Sequence, residues 1–419
     1  MWDRFVFLAN RLGERLWVRP LAFCLVSVGA ALLARLADGL PVAGKFPEIQ
    51  PDSIEVLLSI TASSMLVIAT LAVASMVSAY ASAASTATPR AFALLVADDV
   101  SKNALSIFMG AFIFTIVGLV ALKNGFFQRG GNFSLFVLTI AVLAWVVLTF
   151  VRWVDWIARL GRIGTTIDKV EKAALGALQQ RRAKPAMGGR AAASGETSGA
   201  AVGADAIGYV THINMESLQK CAEANDLQIR IDAVPGTLVS PGRPLVYLDR
   251  NSTADGEIDA SPIRAAFDLG RKRVYDDDPR FGLIALSEIA SRALSPAVND
   301  PGTAIEITGS FIRLFSALAE PLAEGEKSAV PFARVSVPLL SSRDLLDDAF
   351  RPMVRDGAAT VEVQIRVQKA LKSIAALKHD NLGQAARSMS RDALERAELV
   401  MNFSRDIYAV KDAAAWSVE

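Results

Sequence analysis

The chain has 419 residues with 44 Lys and Arg against 43 Asp and Glu, and a balance this close to neutral gives no general pull toward nucleic acid. Hydrophobic residues make up 52% and charged ones 21%; the apolar share is concentrated in the first third, the profile of an integral membrane protein carrying a soluble domain. Cys24 and Cys221 are far apart, which argues against a disulfide framework or a cysteine metal site and fits a reduced, cytoplasmic soluble part.

The lead, residues 1–19, places Trp2, Phe5, Leu8, Leu12, Leu16 and Trp17 among Arg4, Arg11, Arg15 and Arg19 and reads as an amphipathic helix on a membrane surface. A helix packed on the soluble domain is an equal reading of the same pattern. A cleavable signal peptide is disfavoured by the long, amphipathic basic region ending in Pro20.

Four spans follow, at about 20–40, 56–80, 103–122 and 131–151. Asn103 to Leu122 and Gly130 to Val151 hold no charge, and each is long enough to cross a hydrocarbon core of roughly 30 Å. Val56 to Pro89 is also uncharged and as one helix must overshoot the bilayer, with Ser78 to Thr88 as the part outside. The first span is the weakest because it carries Arg35 and Asp38; Arg35 can snorkel to the interface. Basic residues cluster before the first span, between the second and third, and from Arg152 to Lys184, whereas the other two loops hold only Lys45, Lys123 and Arg129. Both termini are therefore expected in the cytoplasm and, in a bacterium, the membrane is the inner one.

The second span is the most informative. At about 100° per residue, Ser59, Ser63 and Thr70 share one side, Ser78 and Ser82 lie beside them, and Leu58, Met65, Met76 and Tyr80 cluster opposite, with Thr61 as the exception. Small residues let helix backbones approach closely. The hydroxyl half is expected either to line a passage in an oligomer or to pack tightly against another helix; the lack of any charge between Val56 and Pro89 counts against a selective ion pathway.

Residues 152–182 read as one amphipathic helix leaving the membrane, with Trp153, Ile157, Leu160, Ile163, Ile167, Val170, Ala174 and Leu178 on one stripe. Residues 183–206, rich in Gly, Ala and Ser, read as a flexible linker. Residues 207–275 alternate and turn: strands at Tyr209 to Ile213, Leu227 to Ala233 and Leu245 to Leu248, a helix at Met215 to Ala224, and a strand-like piece at Ile263 to Leu269. The turns around Gly236 and Gly242 are similar to those of the small barrel-sandwich domains of biotinyl and lipoyl carriers, but the modified lysine is missing. A β-barrel-like module without swinging-arm chemistry is the expectation.

Residues 276–419 read as mainly helical. Asp276-Asp277-Asp278 before Pro279 fits acids at a helix start better than a divalent-metal site. A helix from Phe281 to Leu294 is expected, then one from Asp300 as N-cap and Pro301 as first helical residue to about Leu318. Asn299, Asp300 and Thr303 there form either a ligand corner or a capped turn. A strand at Phe332 to Leu339 precedes helices at Ser341 to Gly357, Thr360 to Lys378 and Leu382 to Val410. With two histidines and no phosphate loop, nucleophile elbow, zinc motif or redox pair, nothing implies a cofactor, metal or catalytic set.

The run Arg292-Ala293-Leu294-Ser295-Pro296-Ala297-Val298-Asn299-Asp300-Pro301-Gly302-Thr303-Ala304 resembles the ALSPAxNDPxTA signature of a large bacterial family of predicted four-span membrane proteins, a domain of unknown function. The stretch from Ser63 to Arg90 is similar to the same family's second-span region. The resemblance implies the four-span topology and a shared corner of Ser295, Asn299, Asp300 and Thr303, and Gly302 departs from the bulky aromatic usual there. The expected fold class is thus four transmembrane helices plus a cytoplasmic α+β domain with a small barrel and a helical C-terminal part. The expected function is a homo-oligomer in contact with membrane lipids, with a channel-like or transport-like role through a passage lined by Ser59, Ser63, Thr70, Ser78 and Ser82. The alternative is a non-conducting scaffold or sensor whose cytoplasmic domain binds a partner or ligand.

Overall fold

A computed structural model describes residues 18–39, 46–86, 88–96, 99–159, 162–192, 199–250, 258–321, 330–379 and 381–418. The amphipathic lead at residues 1–17 lies outside the described residues. The chain divides into two compact units, Met1–Thr166 and Ile167–Glu419.

Among the described residues the first unit contains four helices long and apolar enough to cross a membrane. They are α1 (Val18–Leu33), α2 (Pro51–Thr86), α4 (Asp99–Lys123) and α5 (Arg129–Arg159), with a short α3 (Pro89–Val96) between the second and third. Helix α4 is the hub, packing against α1, α2 and α5. Residues Ile54, Leu58, Ala62, Met65, Ala69, Ala72 and Met76 form the buried seam of α2, recurring at three- and four-residue intervals as a helix stripe does. At 36 residues α2 is roughly 54 Å long at 1.5 Å per residue, starting before the uncharged run with Asp52 in its first turn.

The two charges of the first span have structural partners. After α1 the chain tightens into a 3-10 turn, Ala34–Gly39. There the Asp38 carboxylate accepts from the Gln128 and Gly131 amides at 3.0 and 2.6 Å, so it caps α5 from a distant part of the chain. Arg35 lies over the Phe126 ring, 4.4 Å from its centroid. A side chain at Gly130 has no room, since its Cβ would stand 2.6 Å from the Ala37 carbonyl oxygen.

The expected exit helix is two helices. Helix α5 runs on to Arg159, and α6 (Ile163–Ala183) begins anew, with Gly161, a poor helix former, between them in sequence. From Ile167 onward α6 belongs to the second unit, where Ile167, Val170, Ala174, Ala177 and Leu178 are buried.

Among the described residues the second unit holds two sheets, and neither is a closed barrel. The strands are β1 (Gly189–Ala191), β2 (Ala200–Gly203), β3 (Gly208–Ile213), β4 (Leu227–Ile231), β5 (Leu238–Val239), β6 (Pro244–Arg250), β7 (Phe267–Gly270) and β8 (Phe332–Val337). A five-stranded sheet has the order β1-β8-β4-β6-β2, and a three-stranded sheet the order β5-β3-β7. The first is mixed, with β8 parallel to both β1 and β4; the second is antiparallel. The barrel expectation fails because the strands on either side of the Gly236 and Gly242 turns go to different sheets. The expected linker also contributes strands β1 and β2. Its small residues suit close pairing: a Cβ at Gly189 would run into the Val335 carbonyl, and Gly199 takes a left-handed φ of +104° beside Leu248. Helix α7 (Met215–Ala224) covers β4 and β8, its N-terminus capped by the Asn214 side chain. Where the pattern between 263 and 269 reads as one strand, the chain makes a single helical turn, α8 (Ser261–Ala265), before β7.

The helical layer comprises α9 (Phe281–Ala293), α10 (Pro301–Ala319), α11 (Ser342–Asp356), α12 (Val361–Ala375), α13 (Leu382–Val400) and α14 (Ser404–Ala414). Phe311 and Phe350 meet at its centre with ring centroids 4.9 Å apart. The expected single helix from Leu382 to Val410 is broken at Met401, which leaves the helical region with ψ 134° and is buried with Ala397 and Val410. No Gly or Pro lies between Leu394 and Val410 to mark the break in the sequence.

Candidate functional site

In the first unit Ser59, Ser63, Thr70, Ser78 and Ser82 are all exposed, on the half of α2 opposite buried Leu58, Met65 and Met76. Their polarity is largely met by the helix itself. The Ser63 hydroxyl donates to the Ser59 and Ile60 carbonyls, both at 3.0 Å, and Thr70 donates to Leu66 at 2.8 Å. Such back-bonding lets a hydroxyl sit in hydrocarbon without a partner helix or water. Thr61, the exception in the pattern, is buried and bonds the Leu57 carbonyl. Ile60, Val67, Leu71 and Val77 share the outward half with the hydroxyls, so the face is mixed and weakly polar.

In the second unit Ser295, Asn299, Asp300 and Thr303 stand together where α9 turns into α10. The Asp300 carboxylate accepts from the Thr303 amide at 3.1 Å and from its hydroxyl at 2.5 Å, Asp300 is the N-cap and Pro301 opens the helix. Ser295 donates to the Arg292 carbonyl at 2.7 Å, and Asn299 turns the chain with a φ of +51°. The Ser295 and Thr303 hydroxyls and the Asp300 carboxylate are engaged in folding this corner, and the positive φ of the turn favours Asn.

Next to this corner in sequence lies an ionic framework. The Asp278 side chain is 1% exposed and takes two bonds from Arg273, at 2.7 and 2.9 Å, and one from the Arg280 amide at 3.1 Å. Arg280 in turn clasps Asp348 at 2.5 and 3.1 Å and Asp344 at 3.1 Å. Burial pushes the Asp348 carboxyl up, with Arg280 pulling it down. Asp277 faces His212 at 2.5 Å and Gln180 at 3.2 Å. Asp277 and Asp278 thus have separate partners, and among the described residues no group of three His, Cys, Asp or Glu is placed to hold a metal ion.

Between α6 and α10, Arg313 grips Glu171 through two bonds of 2.6 and 2.7 Å and, chiefly by those bonds, holds its carboxyl below the usual range. A carboxyl depressed in the folded state stabilises above its unfolded pKa and loses that contribution as pH falls through the folded value. Acidifying below the ordinary Glu pKa of about 4.3 is therefore expected to weaken the second unit. In Glu171→Gln this part of the dependence should vanish, as urea unfolding of the full chain at a series of pH values would show.

One polar residue that sequence reasoning counted only among the basic residues flanking the spans is Arg181. It is 7% exposed, and burial lowers its pKa to about 10, with Asp277 opposing. Its signal was present: stepping along the α6 stripe from Ala174 through Ala177 and Leu178 reaches position 181, so a guanidinium occupies a core position of the helix.

The sequence profile of a family described as "Predicted membrane protein (DUF2254)" matches residues 13–373. Two relatives, an uncharacterized protein of Mycobacterium bovis and one of Mycobacterium tuberculosis, are each 33% identical over 115 residues, 27% of this chain. The chain spans only 22% of the length of each of these relatives. No solved structure matches.

Proposed function

The chain belongs to the DUF2254 family of predicted membrane proteins, and on that premise we propose that it is a homo-oligomeric inner-membrane protein in which the outward halves of α2 from several copies face one another around a channel-like passage. Both termini and the second unit lie in the cytoplasm in this reading. The observation that carries it is the exposure of Ser59, Ser63, Thr70, Ser78 and Ser82 on the side of α2 turned from its own seam; small hydroxyl residues favour close approach of helix to helix. The absence of charge on that face suits a weakly polar passage, gated by wetting, over a selective ion filter.

A second reading, a non-conducting scaffold or sensor whose second unit binds a partner or ligand, is favoured by the back-bonding of Ser63 and Thr70 and by Val67, Leu71 and Val77 on the same face. A dry interface between copies would use such a surface equally well.

The test is Ser63→Cys in a Cys24→Ser, Cys221→Ser background, paired with flux into vesicles. Labelling by a membrane-impermeant thiol reagent, with flux abolished by Ser63→Leu and Thr70→Leu, is the expected result. Protection of the thiol with unchanged flux would replace the passage by the scaffold.

A further inference from the structure

Helices α1 and α5 are pinned together at one end and part below it. Where α5 begins, the turn after α1 crosses so closely that a Cβ at Gly130 would stand 2.6 Å from the Ala37 carbonyl oxygen, and one at Gly131 2.6 Å from the Asp38 carboxylate. One turn further along α5 a groove of about 490 Å³ opens, with Ala30, Leu33 and Ala34 on one wall and Phe133, Val137 and Leu138 on the other. Helix α1 gives its main packing to α4 instead. The walls face outward, Leu33 being 60% and Val137 48% exposed. Both helices belong to the four that can cross a membrane, so the groove lies at hydrocarbon depth, just below the interface.

A cation stands at its end. Arg129 is the first residue of α5, and Phe133 and Val137 follow it at i+4 and i+8, on the same helix face. Its Nε donates to the Phe46 carbonyl at 2.9 Å, and the Phe46 ring stacks on Phe133 with centroids 4.9 Å apart. The guanidinium is thereby fixed beside the groove wall, yet the residue is exposed and open to a ligand. Asp38, the carboxylate of this corner, is bonded to the Gln128 and Gly131 amides.

Ser134 is the polar side chain of the wall. Along α5 the order is therefore guanidinium, hydroxyl, apolar surface, from Arg129 through Ser134 to Leu138, within roughly 13 Å at 1.5 Å per residue. A glycerophospholipid has the matching order of phosphate, ester carbonyl and acyl chain, and basic pockets between spanning helices suit anionic headgroups. A second protein helix fits less well, because close helix approach needs small residues and this wall of α5 presents Phe133, Val137 and Leu138.

We infer that the groove holds one anionic glycerophospholipid, with its phosphate on Arg129, an ester carbonyl at the Ser134 hydroxyl and one acyl chain between α1 and α5. The site holds whether or not α2 lines a passage, and for either orientation of the bundle.

The experiment reconstitutes the full chain in phosphatidylcholine vesicles containing a trace of phosphatidylglycerol, or of phosphatidylcholine, with a photoactivatable diazirine in its acyl chain, and maps the labelled peptides. Both lipids should label the groove segments of α1 and α5, phosphatidylglycerol by about fivefold more, the ratio that one basic residue at an interface supplies for a net negative lipid. Arg129→Gln should remove this excess, and Arg129→Lys should keep it, which separates the charge from the bond to Phe46. Val137→Trp, at an exposed position, should fill the groove and suppress labelling there by both lipids. Arg152→Gln, at an exposed position toward the other end of α5, should leave the labelling of the groove unchanged. Equal labelling by the two lipids, an excess that survives Arg129→Gln or is lost in Arg129→Lys, or groove segments left unlabelled, as a second copy seated there would leave them, would each overturn the assignment.

Discussion

Asp278→Ala should destabilise the second unit by about 3–5 kcal/mol, the cost of leaving one member of a buried ion pair uncompensated. The carboxylate is 1% exposed and its partner Arg273 18% exposed, so little water is at hand to replace the two lost bonds. The change also strips the Arg280 amide of its acceptor, at the start of α9. The surroundings are tight as well, because Gly236, at a φ of +90°, leaves just enough space for this pair. The large effect belongs to breaking the pair and does not measure what the pair adds. Asp278→Leu combined with Arg273→Met is accordingly expected to recover most of the loss, and urea unfolding of the full chain followed by circular dichroism would compare the three proteins. A single mutant within about 0.5 kcal/mol of the parent would mean that Arg273 finds solvent more easily than its burial implies.

The second large effect is expected at Gly282. A Cβ placed there would meet the Cβ of Ala174 and stand 2.8 Å from the Ala174 Cα, which backbone cannot yield cheaply. Helices α6 and α9 are in contact through that glycine, and Gly282→Leu forces them apart at a cost of about 1–3 kcal/mol or more, typical of overpacking. Ala174→Gly removes one of the colliding groups and should return part of the loss in the double mutant, though alone it costs about 1 kcal/mol of helix propensity. Thermal unfolding of the two single mutants and the double mutant forms the cycle, and strict additivity would show that the helices do not meet there.

These two sites illustrate what was legible from the residues. The corner from Ser295 to Thr303 was readable as a shared pattern, and the cap at Asp300 with Pro301 behind it followed from local chemistry alone. Helix Met215–Ala224 was also readable to its ends, because a capping Asn precedes a clean apolar stripe. The last three of the four long apolar helices follow from uncharged length, and the α2 seam from periodicity. The open sheets were not legible. Strand β1 pairs with β8 across more than a hundred residues, and no local pattern reveals a partner that remote. Alanine and glycine in β1 and β2 look like a linker when composition is weighed and fit a crowded ladder when neighbours are known. Arg181 was read by its charge, whereas its position in the helix repeat carried the information that mattered.

The parallel pairing of Gly189 with Phe332 also sets an order of events during synthesis. The two residues are 143 positions apart, so at 5–20 residues per second the first strand waits roughly 7–30 s for its neighbour to be translated. During that interval β4, which also pairs with β8, offers an unpaired edge to whatever is nearby. A chain tethered to the bilayer by its first unit would spend this vulnerable period held at the surface, spaced from its siblings by ribosomes, and any truncation that removes β8 would make the waiting permanent.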